Sequence, residues 1–268
     1  MSPWIPIDTD VAEVRLKHPP LELVILNVQF PRALVRLNSA LEAGKLQELL
    51  ADEYPYEEVQ LRPNFTIDAA GGVTKTETKV HILHSADRKW SAMAASDSVS
   101  LVSQGYTNRG DFFRRAEALL DHVAAVASPP GFARIGVRYL NRVANVLDSP
   151  DWLTKLDPGV LGPLALLDPK EWQQVAESLV SVSVPASVLG STTRARWGLI
   201  PPNTTLDPSL QAVATVAWVL DIDSALAPSE PEPWARAKEV LGSFTEDSYR
   251  VFRSILSDAA LERFEPEW

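Results

Sequence analysis

The sequence predicts an α+β fold, in which a mainly antiparallel sheet carries helices packed on one face. Two observations predict it. Short β-branched segments separated by turn residues follow one another along the chain, and an amphipathic helical segment follows each series of them. A chain of 268 residues with 46% apolar and 22% charged side chains also has the composition of a globular protein with a sizeable core.

The first half of the chain begins its regular structure with residues 21–30, which are apolar on both faces and predict a central strand. Leucines at helical spacing predict a short helix over 38–51. Three further segments predict an antiparallel meander: 56–67, 76–85 and 89–104. The strongest helix begins after Asn108, a good N-cap, and another strand follows at 131–146.

The second half repeats this order of elements. Three strands are predicted at 177–188, 192–200 and 211–223, and two helices at 233–244 and 246–256. Ser243 and Glu246 form a capping box that marks the start of the last helix. We therefore formulate the hypothesis that the chain consists of two related strand-then-helix halves, which the strand order of a structure can test.

A proline-rich stretch separates the two halves and is the best place for a domain boundary. It contains Pro150, Pro158, Pro163 and Pro169, and proline interrupts both helices and strands. We expect an N-terminal half over 1–147, which contains an arginine-lined strand, and an acidic C-terminal half over 148–268. A single domain is the alternative.

Charge is unevenly distributed between these halves. Residues 1–147 contain 16 Lys and Arg against 17 Asp and Glu, whereas residues 148–268 contain 9 against 18. The acidic second half disfavours nucleic acid as a partner, because nucleic-acid binding places cations against phosphates. We expect another protein or a second copy of the chain as the partner, with an anionic ligand as a further option.

Several classes of protein are excluded by what the sequence lacks. Zero cysteine removes disulfide frameworks, thiolate zinc sites, iron–sulfur clusters and a cysteine nucleophile. Neither GxxxxGK[ST] nor GxGxxG is present to cradle nucleotide phosphates, and Ser191 lacks the following glycine of a nucleophile elbow. The start of the chain does not resemble a signal peptide, and no apolar run has the length of a membrane span, so we expect a cytoplasmic protein.

The segment 133–143 (ARIGVRYLNRV) is the most unusual in the chain. Period-two alternation places Arg134, Arg138 and Arg142 on one side of a strand, about 13 Å apart. That spacing suits a groove for an anionic ligand or an acidic partner, since guanidinium groups bind phosphates and carboxylates. The alternative is that each arginine pairs with an acidic residue of a neighbouring element.

Asp221 and Asp223 follow an apolar strand and are two residues apart, so both project to the same face, as a Mg²⁺ site requires. Paired acids also occur where a strand simply emerges into solvent, and Mg²⁺ is the only cofactor that the sequence suggests. His81 and His84 are three apart on a predicted strand and point to opposite faces, which disfavours a two-histidine metal site.

Eight tryptophans offer candidate contacts with a partner. Five of them lie near prolines or at chain ends, where an exposed ring would be explained by packing against another subunit: Trp4, Trp152, Trp172, Trp234 and Trp268. The alternative is that these rings hold loops against their own domain.

Several of these segments together resemble a known family. The segments that carry the likeness are PPLELVILNVQF at 19–30, DFFRRAEALL at 111–120, RIGVRYLNRV at 134–143 and EDSYRVFRSILSDAALERFEP at 246–266. They are similar to a sporadically distributed, largely uncharacterised bacterial family of similar length. The resemblance implies a bacterial α+β protein without an established catalytic motif and an association with defence or mobile genes.

The absence of nucleophile, metal and nucleotide motifs outweighs the isolated arginine and aspartate rows. We therefore expect a non-catalytic binding or regulatory protein, a protein-interaction component of a bacterial defence or toxin-related system. The alternative is a Mg²⁺-dependent enzyme that acts on a phosphorylated or nucleic-acid substrate. That alternative requires the arginine row and the aspartate pair to face one cavity.

Overall fold

A computed structural model describes residues 12–67, 71–148 and 150–267. The strands of these ranges are β1 (Arg15–Leu16), β2 (Leu21–Gln29), β3 (Tyr56–Ile67), β4 (Val73–His84), β5 (Trp90–Ala95), β6 (Ser98–Ser103), β7 (Gly131–Phe132), β8 (Arg134–Val143), β9 (Ser178–Pro185), β10 (Thr192–Ile200), β11 (Ala217–Leu226), β12 (Glu232–Pro233) and β13 (Pro266–Glu267).

The α-helices of the same ranges are α1 (Val35–Glu42), α2 (Lys45–Leu50), α3 (Arg109–Ala127), α4 (Pro158–Leu161), α5 (Ala237–Ile255) and α6 (Asp258–Leu261). Short 3₁₀-helices span Pro150–Lys155, Gly162–Leu166, Pro169–Gln174, Trp234–Arg236 and Glu262–Phe264. None of the helices in the described ranges combines the length and the apolar character needed to cross a membrane.

Nine of the strands form one antiparallel sheet in the order β3-β4-β5-β6-β2-β8-β11-β10-β9. This sheet, together with the helices, confirms the predicted α+β fold. β2 lies inside the sheet, as its two apolar faces predict. The segments 56–104 form an antiparallel meander as expected, but the single segment predicted at 89–104 is two strands, β5 and β6, joined by a turn at 96–97. The two-residue pairs β1–β13 and β7–β12 were not predicted, because so short a strand has no periodicity to detect.

The order of elements repeats along the chain. β2 is followed by short helices, the meander β3–β6 and the 19-residue helix α3, while β8 is followed by short helices, the meander β9–β11 and the 19-residue helix α5. Reading outwards in the sheet, β2 is followed by β6, β5, β4 and β3, and β8 by β11, β10 and β9. The strand order agrees with two related halves only when β8 begins the second, whereas the sequence placed this arginine-lined strand in the half 1–147. In that division, β3 is the strand of the first half that has no counterpart among the described strands of the second.

Two compact units make up the chain, and both are discontinuous in sequence. The first comprises 1–24, 137–226 and 242–268, and the second comprises 25–136 and 227–241. These ranges differ from the division at 147/148 that the prolines suggest. The reason lies in the antiparallel sheet, where β8 and β11 are neighbours although the proline-rich stretch separates them in sequence.

The first unit has a core built on one face of β10 and β11. Trp197 and Trp218 are fully buried there, and the short helices of 150–174 contribute Trp152, Leu153 and Trp172 to the same cluster. The proline-rich stretch is therefore part of this core rather than a linker.

The second unit is organised around α3. The side chain of Asn108 accepts a hydrogen bond from the backbone N–H of Asp111, as the predicted N-cap requires. Phe112, on the apolar face of this helix, is fully buried, and its ring lies 6.5 Å from that of Trp90 on β5. Arg115 places its guanidinium 4.6 Å from the centre of the Trp90 ring, which adds a cation–π contact.

The predicted break in the last helical segment is wrong. α5 runs without interruption from Ala237 to Ile255, so Ser243 and Glu246 lie in its interior and do not cap a helix start. Leu241, Phe244 and Val251 are fully buried at helical spacing on both sides of the expected break. The continuous apolar face explains why the helix continues through the capping-box sequence.

Candidate functional site

The aspartate pair lies within a strand rather than at its end. β11 continues to Leu226, so Asp221 occupies the middle of the strand and pairs with Arg196 of β10 in the register of the sheet. Asp223 pairs in the same way with Arg194. The sequence placed the strand end too early because the two aspartates interrupt its apolar run.

Asp221 is 1% exposed and is held by two guanidinium groups. Nε of Arg138 donates to its Oδ1 at 2.7 Å, and Nη2 of Arg196 donates to its Oδ2 at 2.5 Å. Burial lowers the pKa of Arg138, but the hydrogen bond and the charge of Asp221 raise it by more, so the net pKa lies above its ordinary value. The carboxylate of Asp221 is therefore fully engaged by its own chain.

The connection between β10 and β11 covers the arginine face. Asp207 of this loop accepts from Nη1 of Arg138 at 2.7 Å, and the carbonyl oxygen of Leu206 accepts from Nη2 at 3.0 Å. Arg142 donates to the carbonyl oxygen of Gln211 in the same loop and lies 2.6 Å from the carboxylate of Glu22. Two members of the predicted arginine row thus make internal contacts under a loop.

The structure does not bring the three arginines together as an open groove. The side chains of Arg138 and Arg142 are 21% and 8% exposed, respectively. Arg134 is half-buried and makes no ion pair within the part of the chain that the structure describes. The interpretation in which neighbouring acids pair with the arginines accounts for Arg138 and Arg142, and no such partner accounts for Arg134.

Asp221 and Asp223 do not fit a divalent cation. A Mg²⁺ ion needs several free oxygen ligands, whereas both oxygens of Asp221 bind guanidinium groups and Asp223 lies 3.6 Å from Arg194. Two arginines beside the carboxylate would also repel the cation. Within the described ranges, no group of three or more His, Asp or Glu side chains is placed to hold a metal.

The two histidines of β4 point to opposite faces, as the strand periodicity predicts. His81 lies 2.8 Å from the carboxylate of Glu57, and Nδ1 of His84 lies 2.9 Å from the hydroxyl of Ser91. Each histidine therefore has a partner on a neighbouring strand, and the two do not form a shared site.

Two of the candidate tryptophans belong to the core. Trp152 and Trp172 are 3% and 2% exposed, and each indole N–H donates to a backbone carbonyl, of Ala260 and Leu164 respectively. Trp234 is half-buried against Phe30, with ring centres 5.7 Å apart. Trp4 and Trp268 lie outside the described residues. The rings of Trp152 and Trp172 therefore hold the proline-rich stretch against its own unit.

β3 and its hairpin partner β4 form an open surface of the second unit. β3 and β4 pair along all 12 residues, but β5 pairs only with His81–His84 of β4. The β3–β4 hairpin therefore extends beyond its pairing with β5 as a two-stranded segment made of 60–67 and 73–80. β3 is an edge of the nine-stranded sheet, and residues 56–63 are all exposed.

This surface carries large apolar side chains. Tyr56 is 47% exposed, Val59 50%, Leu61 59% and, on β4, Val73 64%. The sequence predicted both strands but not their exposure, because alternating apolar and polar residues normally indicate a strand with one buried face. No signal in the sequence could have revealed it, because the exposure depends on where β5 ends, and β5 and β6 were predicted as one segment over 89–104.

No protein-family model matches this chain, and no curated protein matches it either. Its function therefore has to be inferred from its own geometry, in which the arginine face is covered by a loop and the β3 edge is open.

Proposed function

We propose that this protein works by binding another protein through the edge of β3, as an interaction component rather than as a catalyst. The observation that carries the proposal is the exposure of all residues from 56 to 63 on an edge strand that includes Tyr56, Val59 and Leu61. A long edge strand with exposed apolar side chains is an aggregation hazard, because its unpaired backbone groups pair readily with other chains.

Strand addition is the mode of binding that this surface supports. Among the strands of the described ranges, none neighbours the outer side of β3, so its outward N–H and C=O groups are available to an extended segment. Apolar side chains alternate with Glu58, Gln60 and Arg62 along β3. Main-chain hydrogen bonds would supply affinity, and the alternating side chains would supply specificity.

The proposal includes a cellular role and a class of partner. The resemblance of the segment 134–143 and its companions to a bacterial family supports a role in a defence or toxin-related system, in the cytoplasm. An acidic chain with a net charge of −10 supports a protein rather than a nucleic acid as the partner. An anionic ligand at Arg134, Arg138 and Arg142 would first have to displace the loop contacts of Arg138 and Arg142.

The enzyme alternative receives less support from the geometry. A Mg²⁺-dependent reaction at Asp221 and Asp223 would need a cation to replace two guanidinium groups on a buried carboxylate. Such a replacement would leave Arg138 and Arg196 without their main partner, which is unfavourable for a buried ion pair.

Site-specific photo-crosslinking in host cells tests the proposal. A photoreactive amino acid replaces Leu61 in one variant and, as the matched control, Leu189 in another; Leu189 is 97% exposed and belongs to the other unit. We expect a discrete protein adduct from position 61 and none from position 189. Absence of an adduct at position 61, or equal adducts at both positions, would overturn the proposal.

A further inference from the structure

We propose that the partner of β3 is a second copy of this chain, paired antiparallel β3 to β3 about a two-fold axis at Gln60. This inference rests on the proposed function and names its partner. A two-fold axis brings the same strand of two copies together in opposite directions, which is the geometry of an antiparallel ladder. The pairing would extend the sheet from β3 of one copy into β3 of the other.

The charges of β3 are self-complementary in this register. With Gln60 opposite itself, Glu58 lies opposite Arg62 of the second copy, and Arg62 lies opposite Glu58 of the second copy. Val59 and Leu61 lie opposite each other in the same way. Two opposite-charge pairs and two apolar pairs form at once, and each cross-strand pair of this kind is stabilising.

Neighbouring registers lack this complementarity. Facing residues of two paired strands must project to the same face of the sheet. In a two-fold symmetric pairing of β3 with itself, the axis therefore always passes through one residue, which faces its own copy. A register centred on Glu58 brings two carboxylates together, and one centred on Arg62 brings two guanidinium groups together, both of which are repulsive. Registers centred on Val59 or Leu61 leave Glu58 and Arg62 without opposite charges.

Pro63 defines one end of the pairing. Proline has no amide hydrogen and is accommodated in an edge strand where its nitrogen points away from the neighbouring strand. β3 pairs with β4 through Pro63 without interruption, opposite Glu77. By this rule Val59 and Leu61, at even spacing from Pro63, direct their N–H and C=O groups outwards. Gln60 then occupies a non-hydrogen-bonded position across the axis, where facing side chains approach most closely.

The contacts that Glu58 and Arg62 make within their own chain do not block this arrangement. Arg62 donates to Asp97 at 2.6 Å with both side chains more than 40% exposed. Glu58, which is 50% exposed, accepts from Gln60 at 2.8 Å and lies 3.6 Å from Nε2 of His84. Exposed pairs of this kind contribute about 0–1 kcal/mol. A guanidinium with five N–H donors can keep one carboxylate and bind a second.

The absence of cysteine makes a direct test available. Gln60→Cys introduces the only thiol of the chain, and in the proposed register it faces its own copy at a separation that suits a disulfide. Under mild oxidation we expect a covalent dimer to form at least about tenfold faster than for Glu77→Cys, an exposed control on β4, because a formed interface raises the effective concentration. Equal rates for the two variants would overturn the register.

Charge reversal provides the second test. Sedimentation velocity should show the wild-type chain as a dimer and Glu58→Arg and Arg62→Glu as monomers, since each variant alone places like charges opposite each other. An equimolar mixture of the two variants should restore a dimer, because every facing pair is then opposite in charge. A monomeric wild-type chain, or dimers that persist in both single variants, would overturn the inference.

The mass of the photo-adduct at position 61 separates this inference from the proposed function. An adduct of twice the chain mass supports both. An adduct with a different protein alone overturns the second copy as partner and leaves the proposed function in place. No adduct at position 61 overturns both.

Discussion

The two meanders of the sheet have different edges. β9 closes the meander β9–β11 with half-buried Val180, Val182 and Val184 against the core of its unit, and exposed Ser181 and Ser183 on the other side. β3 closes the other meander with residues 56–63 exposed on both sides. The comparison shows that β9 is needed by its own core, whereas most of β3 is not.

The difference also lies in the number of strands. The meander of the second half has three strands and that of the first half has four, and the additional strand is β3. If the halves are related, β3 is the element that distinguishes them. The exposed apolar side chains within 56–63 of this strand support the proposed contact with another molecule.

Substitution of Asp221 should cause the largest loss of stability, because Asp221 is buried in the meander β9–β11, whose edge strand packs on its own core. Asp221→Ala removes the shared partner of Arg138 and Arg196, which leaves Arg196 without this carboxylate and Arg138 with Asp207 alone, and we expect it to lower the free energy of unfolding by about 3–5 kcal/mol. Urea denaturation followed by circular dichroism measures it.

Asp223→Ala is the matched control for that prediction. Asp223 is on the same face of β11, but it is partly exposed and lies 3.6 Å from an exposed Arg194, so its removal should cost about 1 kcal/mol or less. Equal losses of stability for the two substitutions would contradict this prediction. They would show that the buried ion pairs of Asp221 stabilise the meander no more than the exposed pair of Asp223 and Arg194 does.

The two edge strands themselves should respond differently to loss of a valine. Val182→Ser on β9 removes apolar contact with the core and should lower the free energy of unfolding by about 1 kcal/mol. Val59→Ser on β3 removes a side chain that is 50% exposed and should change the free energy of unfolding by less than about 0.5 kcal/mol. Denaturation of both variants at a low protein concentration, where self-association does not contribute, tests the contrast. A larger loss for Val59→Ser would contradict the comparison on which the proposed function rests.

The sequence was most informative where one physical signal dominated. β10 spans Thr192–Ile200, as its alternation predicts, and α3 begins directly after Asn108, as its N-cap predicts. Ser243 and Glu246 were misleading because a continuous apolar face outweighs a local capping preference. Local patterns therefore predicted elements well and their ends less well.

The candidate sites were harder to predict because they depend on distant parts of the chain. Arg138 and Asp221 were each identified from the sequence, and only the enzyme alternative placed the arginine row and the aspartate pair at one cavity. The structure joins the two residues in an ion pair, an arrangement that neither the groove nor the enzyme interpretation of the sequence included. Asp207, 69 residues away from Arg138, completes the contacts from a loop that carries no sequence signal. The exposure of β3 was likewise undetectable, since it depends on where β5 ends.

The discontinuous units have a consequence for synthesis on the ribosome. The unit that contains β3 is made of 25–136 and 227–241, so β3 and β4 leave the ribosome before its last piece has been translated. During that interval the edge of β3 is exposed to other chains, with which unpaired strands readily associate. Glu58, Arg62 and Pro63 on this strand are the residue types that restrain indiscriminate pairing. The same side chains that we propose to select a partner in the finished protein would thus protect the nascent chain.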